Sequence, residues 1–184
     1  SYATLLEWRN IYYDAEEQLV GAVRDNVRVG VVQWQMRSHG SLESLVEQME
    51  YFVDAVSDYE SDFCVFPEYF CAPLMAECTH LIEREAIRGL ARYSSTLADT
   101  LQEFAVNYNV NIIGGSMPEI GNDERLRNVS SLFRRDGTRE RIEKIHPTPD
   151  EARRFGMVGG DEIPVFDTDA GKIGILICYD IEFP

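Results

Sequence analysis

Val27-Arg28-Val29-Gly30-Val31-Val32-Gln33-Trp34-Gln35 is a β-branched run of the kind that forms a buried strand. Ser41 can cap a helix behind it, and Leu42, Leu45, Val46, Met49, Val53 and Val56 then recur at helical spacing. Residues 63–66 are a second short apolar strand, ended by Pro67. Ser94 or Ser95 opens another helix, with Leu97, Leu101, Phe104, Ala105 and Tyr108 on one face. Residues 111–116 give a third strand, closed by glycines. Further along, residues 129–135 and 138–145 flank Asp136-Gly137, a strong hairpin signal. A loop rich in Pro, Gly and acid runs from His146 to about Pro164. Two more strands, 165–168 and 172–178, lie around Asp169-Ala170-Gly171. The order implies an α/β chain with a mixed sheet and helices mainly on one face. Residues 1–26 form a separate block, read as a linker or N-terminal extension, with Asp25-Asn26 as the break.

Composition narrows the function classes. The chain has 184 residues, 45% hydrophobic, which suffices for a domain with a core. Acidic residues number 32 against 17 basic, for a net charge of −15. Such a surface repels phosphate backbones and anionic lipid, so neither nucleic acid nor membrane is expected as a partner. No apolar run approaches the ~20 residues that span a bilayer. The spacing of Cys64, Cys71 and Cys78 matches no zinc pattern, and few cysteines suggest reduced thiols and a cytoplasmic location. The sequence starts at Ser1 and stops at Pro184 right after a strand, which reads as a piece of a longer chain.

Three positions carry chemistry. Cys178 ends the apolar run Ile173-Gly174-Ile175-Leu176-Ile177, at the carboxyl end of a strand, where open α/β sheets place ligands. Taken alone, a core cysteine is the commoner reading. Glu68 follows Phe63-Cys64-Val65-Phe66-Pro67, again at a strand end, where burial suits a carboxyl to moving protons; a solvated loop carboxylate is its ordinary alternative. Lys144 is expected on a strand ending at His146-Pro147. Facing inward it needs a carboxylate partner, for which Glu151 is the candidate; facing outward it would only guard a sheet edge. His146 makes a Cys–His pair with Cys178 conceivable, and His39 and His80 fall in loops.

Together, in this order, these positions resemble the carbon–nitrogen hydrolases of the nitrilase superfamily. Phe66-Pro67-Glu68 is similar to the family's first motif, which carries a catalytic Glu. Ile142-Glu143-Lys144-Ile145-His146 is similar to the second, which carries a Lys, and Cys178-Tyr179-Asp180-Ile181-Glu182-Phe183-Pro184 to the third, which carries a Cys. Glu151 falls where many members keep a second glutamate. The resemblance covers residues 27–184. It implies a four-layer α-β-β-α sandwich, incomplete at the C-terminus. Residues 33–37 with 51–56 resemble members fused behind an acetyltransferase-like domain, which would make residues 1–26 a linker.

The resemblance also implies a reaction. Cys178 is the nucleophile, Glu68 the proton shuttle and Lys144 the anion stabiliser, with the Tyr179 backbone N–H as second oxyanion donor and Glu151 holding Lys144. The substrate is a small linear amide or carbamoyl compound, or less readily a nitrile, with no cofactor or metal. Self-association into a homo-oligomer is expected from the same likeness. Two rivals are a non-catalytic regulatory module that kept the fold and an acyltransferase on the same scaffold.

Overall fold

The computed structural model describes residues 26–36, 41–78 and 82–183. The expected linker at 1–26 therefore lies outside the described residues except for Asn26, as do His39 and His80. Strands β1 (Val29–Val31), β2 (Phe63–Val65) and β3 (Asn111–Ile113) pair in parallel, Val29 with Phe63 and Phe63 with Asn111. Helix α1 (Leu42–Asp58) makes the first crossover; α2 (Glu83–Leu90) and α3 (Ser94–Asn107) lie in the second. Two right-handed crossovers stepping the same way across a sheet put their helices on the same face. Both helical patterns read from the sequence are present. Ser41 Oγ accepts the Ser44 N–H as the α1 cap, and Leu45, Met49 and Val53 are buried. In α3, Leu97, Leu101, Phe104 and Ala105 are buried. These residues join Cys64, Phe66, Ile112 and Phe133 in the main core.

The antiparallel half completes the sheet. β3 and β4 (Met117–Ile120) pair with successive stretches of β5 (Leu126–Phe133), and β6 (Arg139–Glu143) pairs with its other edge. The Asp136-Gly137 hairpin forms as expected, with Gly137 at φ +90° and the Arg134 N–H bonded to the Thr138 carbonyl. β6 consequently runs in the same direction as β1, β2 and β3. β7 (Val165–Thr168) and β8 (Gly171–Gly174) form a separate hairpin. Phe166 and Ile173 of this hairpin pack with Phe63, Leu132, Ile142 and Ile175 on the face opposite the helices. Helices, sheet and hairpin thus supply the α, β and second β layers of the expected sandwich. Among the described residues no helix is long and apolar enough to cross a membrane.

Three expectations are corrected. The strand at 27–35 is paired over Val29–Val31 only, and it is buried on one side alone: Val29 and Val31 are exposed, 50% and 74%, while Val32 is in the core. Side chains alternate along a strand, and the helix layer covers only one set. The strand at 172–178 ends at Gly174, because β7 has four residues and all four are already paired. Lys144 lies one residue beyond β6, although its N–H still bonds to the Asn128 carbonyl at 2.9 Å. α2 and β4 carry little sequence signal. α2 is short and half charged, and β4 contains Pro118, tolerated because β4 is an edge strand in this sheet.

Candidate active site

Glu68 sits just past the end of β2 and Lys144 just past the end of β6. The two strands run the same way, so both side chains reach the same rim of the sheet. Gly115 allows this on the Glu68 side. It holds φ +59°, and a Cβ there would come within 2.1 Å of the Pro67 carbonyl oxygen. The absence of a side chain lets the 67–69 segment bridge to Ser116, with the Tyr69 N–H bonded to the Ser116 carbonyl at 2.9 Å.

Lys144 is 1% exposed, and its Nζ lies 2.8 Å from both Glu68 Oε1 and Glu151 Oε2. This excludes the edge-guarding reading, since a buried ammonium persists only when paired. Burial works against its charge, but the hydrogen bonds and charges of Glu151 and Glu68 outweigh it and raise the Lys144 pKa. Glu151 shows the converse balance. Burial opposes its ionisation, and the bonds from Lys144, the Thr148 N–H at 2.7 Å and the Tyr69 hydroxyl at 2.8 Å lower its pKa on balance. Tyr69 is held protonated by burial and by the adjacent Glu151, so it acts as a donor. Asn128 Nδ2 donates to Glu68 Oε1 at 2.9 Å and to Glu151 Oε1 at 3.0 Å. The cluster therefore has two carboxylates, one ammonium and a set of neutral donors.

Cys178 opens a short 3₁₀ turn, Cys178–Glu182, with φ +49°. A non-glycine residue in the left-handed region costs about 1–2 kcal/mol, and such strain collects at functional sites. Its thiol is exposed, whereas Cys64 and Cys71 are buried. Burial, then hydrogen bonding and charge from Glu68, raise the Cys178 pKa; Lys144 pulls the other way and Glu151 adds to the rise. The same two carboxylates and ammonium thus act on Cys178, so the three candidate groups converge. The sequence matches the Carbon-nitrogen hydrolase family model over residues 28–184. The chain belongs to the carbon–nitrogen hydrolase family.

Relatives of this carbon–nitrogen hydrolase chain agree. It is 43% identical over 184 residues to the Bacillus subtilis protein named probable hydrolase YhcX, covering 100% of this chain and 36% of that one. It is 38% identical over 127 residues to the chloroplastic omega-amidase of Arabidopsis thaliana, covering 65% of this chain and 34% of that one. The chain therefore spans about a third of the length of these relatives. Among solved structures, Saccharomyces cerevisiae Nit3 of the nitrilase superfamily superposes with a TM-score of 0.70 at 23% identity, covering 85% of this chain and 57% of that one, which supports the fold.

One part of this side-chain cluster was not singled out by residue type. Asp180 is buried, and it accepts from the His146 N–H at 2.8 Å, the Ile177 N–H at 3.2 Å and the Ile145 N–H at 3.4 Å. Its Oδ1 also lies 3.1 Å from His146 Nδ1. One carboxylate thereby ties the loop after Lys144 to the turn that starts at Cys178. The His146 ring stacks on Phe183 at 3.9 Å and meets Asp180, so His146 is committed to holding this turn and is not brought to the Cys178 thiol by any described contact. Asn128, Tyr69 and Thr148 were likewise not singled out.

The three described thiols should differ sharply in reactivity. Burial pushes Cys64 and Cys71 up to about 12 and shields them from solvent. Iodoacetamide at neutral pH is expected to modify Cys178 at least about tenfold faster than either, as read by peptide mass mapping. Equal rates at Cys64 and Cys178 would remove the distinction.

Proposed function

We propose that this chain carries the reaction centre of an amidase-like hydrolase that cleaves a linear amide or carbamoyl C–N bond through a thioester on Cys178. The observation that supports it most is Lys144. It is fully buried between Glu68 and Glu151 beside an exposed, strained cysteine. A structural ion pair has no need of such a thiol, and a structural cysteine has no need of two carboxylates and an ammonium.

The chemistry follows from the charges. With its pKa raised, the Cys178 thiol is protonated at neutral pH. Attack then requires a base, and Glu68 is the carboxylate beside it. Glu68 takes the thiol proton as sulfur bonds to the carbonyl carbon and charge moves to the oxygen. Lys144 has three N–H donors and spends two on Glu68 and Glu151, leaving the third for the oxyanion. The Tyr179 N–H, at the start of the turn, is the second donor; one such donor typically contributes ~3 kcal/mol. Glu68 returns the proton to the departing amine and then activates water against the thioester. Glu151 keeps Lys144 oriented and charged.

Full-length protein mixed with an amide substrate and acid-quenched within one turnover should carry the acyl mass on Cys178. Failure to trap any acyl adduct on Cys178 during steady turnover would sink this reading. Added hydroxylamine or amines divert the thioester, and the yield of diverted product separates hydrolysis from acyl transfer. The omega-amidase names of several relatives support an amide over a nitrile. Family likeness also underlies our inference of self-association, a cytoplasmic setting and an acetyltransferase-like domain in the same polypeptide.

A further inference from the structure

Asn128 lies on β5 beside Lys144, and its amide nitrogen reaches both carboxylates of the site. The side chain is buried, and Oδ1 on its other branch has no hydrogen-bond partner among the described residues. Turning the amide over would press that oxygen against two carboxylates, so Glu68 and Glu151 fix its orientation. An unpaired buried amide oxygen is unfavourable. It persists here beside two charge-assisted bonds, which makes the amide a donor dedicated to the carboxylates.

The bonds that Glu68 accepts from Lys144 and Asn128 share one atom. Lys144 Nζ at 2.8 Å and Asn128 Nδ2 at 2.9 Å both end on Oε1, and among the described residues neither reaches Oε2. The titratable groups facing Glu68 are Lys144, Glu151, the neutral Cys178 thiol and Tyr69, whose hydroxyl feels the charge of Glu68 as well as that of Glu151. One ammonium serves two carboxylates, which leaves a net negative charge. A second cation at position 128 would neutralise that charge and weaken Glu68 as a base. A neutral amide steadies both anions and leaves the base able to take a proton.

We propose that Asn128 is a positioning residue for the reaction: it locks the Glu68 carboxylate through Oε1 and leaves Oε2 as the atom that receives the Cys178 proton. This rests on the role of Glu68 proposed above. In the step, the Cys178 S–H bond breaks and an O–H bond forms at Glu68 Oε2. The sulfur electron pair makes the S–C bond, and the carbonyl π pair moves onto oxygen.

A donor on the charged carboxylate favours that form, so its loss favours protonation. The test uses full-length Asn128→Leu, which keeps the branched outline without polar atoms, and Asn128→Asp, which keeps the shape and replaces the donor with a third acid. Two pH profiles are measured: kcat/KM for a linear amide, and alkylation of Cys178 by iodoacetamide, followed by mass. The acid limb is expected to move up by about one pH unit in Asn128→Leu, a tenfold change in proton affinity at the site. kcat should fall with little change in KM, and Asn128→Asp should shift the limb further in the same direction. Acid limbs unchanged in both variants, whatever the plateau height, would make Asn128 a packing residue and overturn the proposal. The alkylation profile does not need turnover. A wild-type protein without amidase activity but with a limb that shifts on substitution would refute the hydrolase reading and still support the coupling of Asn128 to the acid–base cluster.

Discussion

Cys178→Ala in the full-length protein is expected to lower amide turnover at least about 10⁴-fold, with the folded state unaltered. In the proposed mechanism the thiol forms the covalent bond, so the remaining donors could bind an amide and polarise it without opening it. The fold should not suffer because Cys178 is exposed and its removal leaves no core cavity. Backbone strain offers an internal control. Cys178 holds φ +49°, a conformation natural to glycine. Cys178→Gly should therefore be equally inactive and, unlike Cys178→Ala, more stable than wild type by about 1 kcal/mol. Hydrolysis kinetics and denaturant midpoints on both variants check the pair. Retention of wild-type turnover by Cys178→Ala would remove the nucleophile assignment.

The second large effect falls on Lys144. Lys144→Met leaves Glu68 and Glu151 facing each other without the charge that links them. Breaking a buried pair from one side typically costs about 3–5 kcal/mol, because the other charge stays buried and uncompensated. Activity should vanish together with that stability. Adding Glu151→Gln to Lys144→Met removes the more deeply buried of the two uncompensated charges and should recover much of the stability, with no activity returning. If the double variant were as unstable as the single one, the buried-charge account would be wrong. The pair also sets a pH window. The Glu151 pKa is lowered from 4.5, so its contribution is full above that value and is lost as pH falls through the lowered one. The Lys144 pKa is raised from 10.5, so its contribution is full below that value and is lost as pH rises through the raised one. Between these limits the pair should leave wild-type stability nearly independent of pH, as followed by denaturant midpoints across the range.

Much of this was legible before any coordinates. α1 and α3 announced themselves because amphipathic spacing over many residues is a strong local signal. The Asp136-Gly137 turn was equally clear, since few residue pairs tolerate its backbone. Glu68, Lys144 and Cys178 stood out only as an ordered set, because each alone has a bland and commoner explanation. α2 was missed because it spans only eight residues, with three buried positions, Ala86, Ile87 and Leu90, too few to mark a helix on their own. β4 was missed because Pro118 argues against a strand unless its edge position is known.

The amino-acid order by itself determined the helices α1 and α3, the short parallel strands that flank them and the Asp136-Gly137 turn. Those properties depend on near neighbours along the chain. Tertiary structure decided the rest. It set Lys144 between two carboxylates, gave Asn128 both of them as acceptors, and made Asp180 the tie between the Lys144 loop and the Cys178 turn. It also left one side of β1 uncovered. Each of these depends on lateral pairing between strands far apart in sequence, and a side chain's charge state follows from what that pairing places beside it.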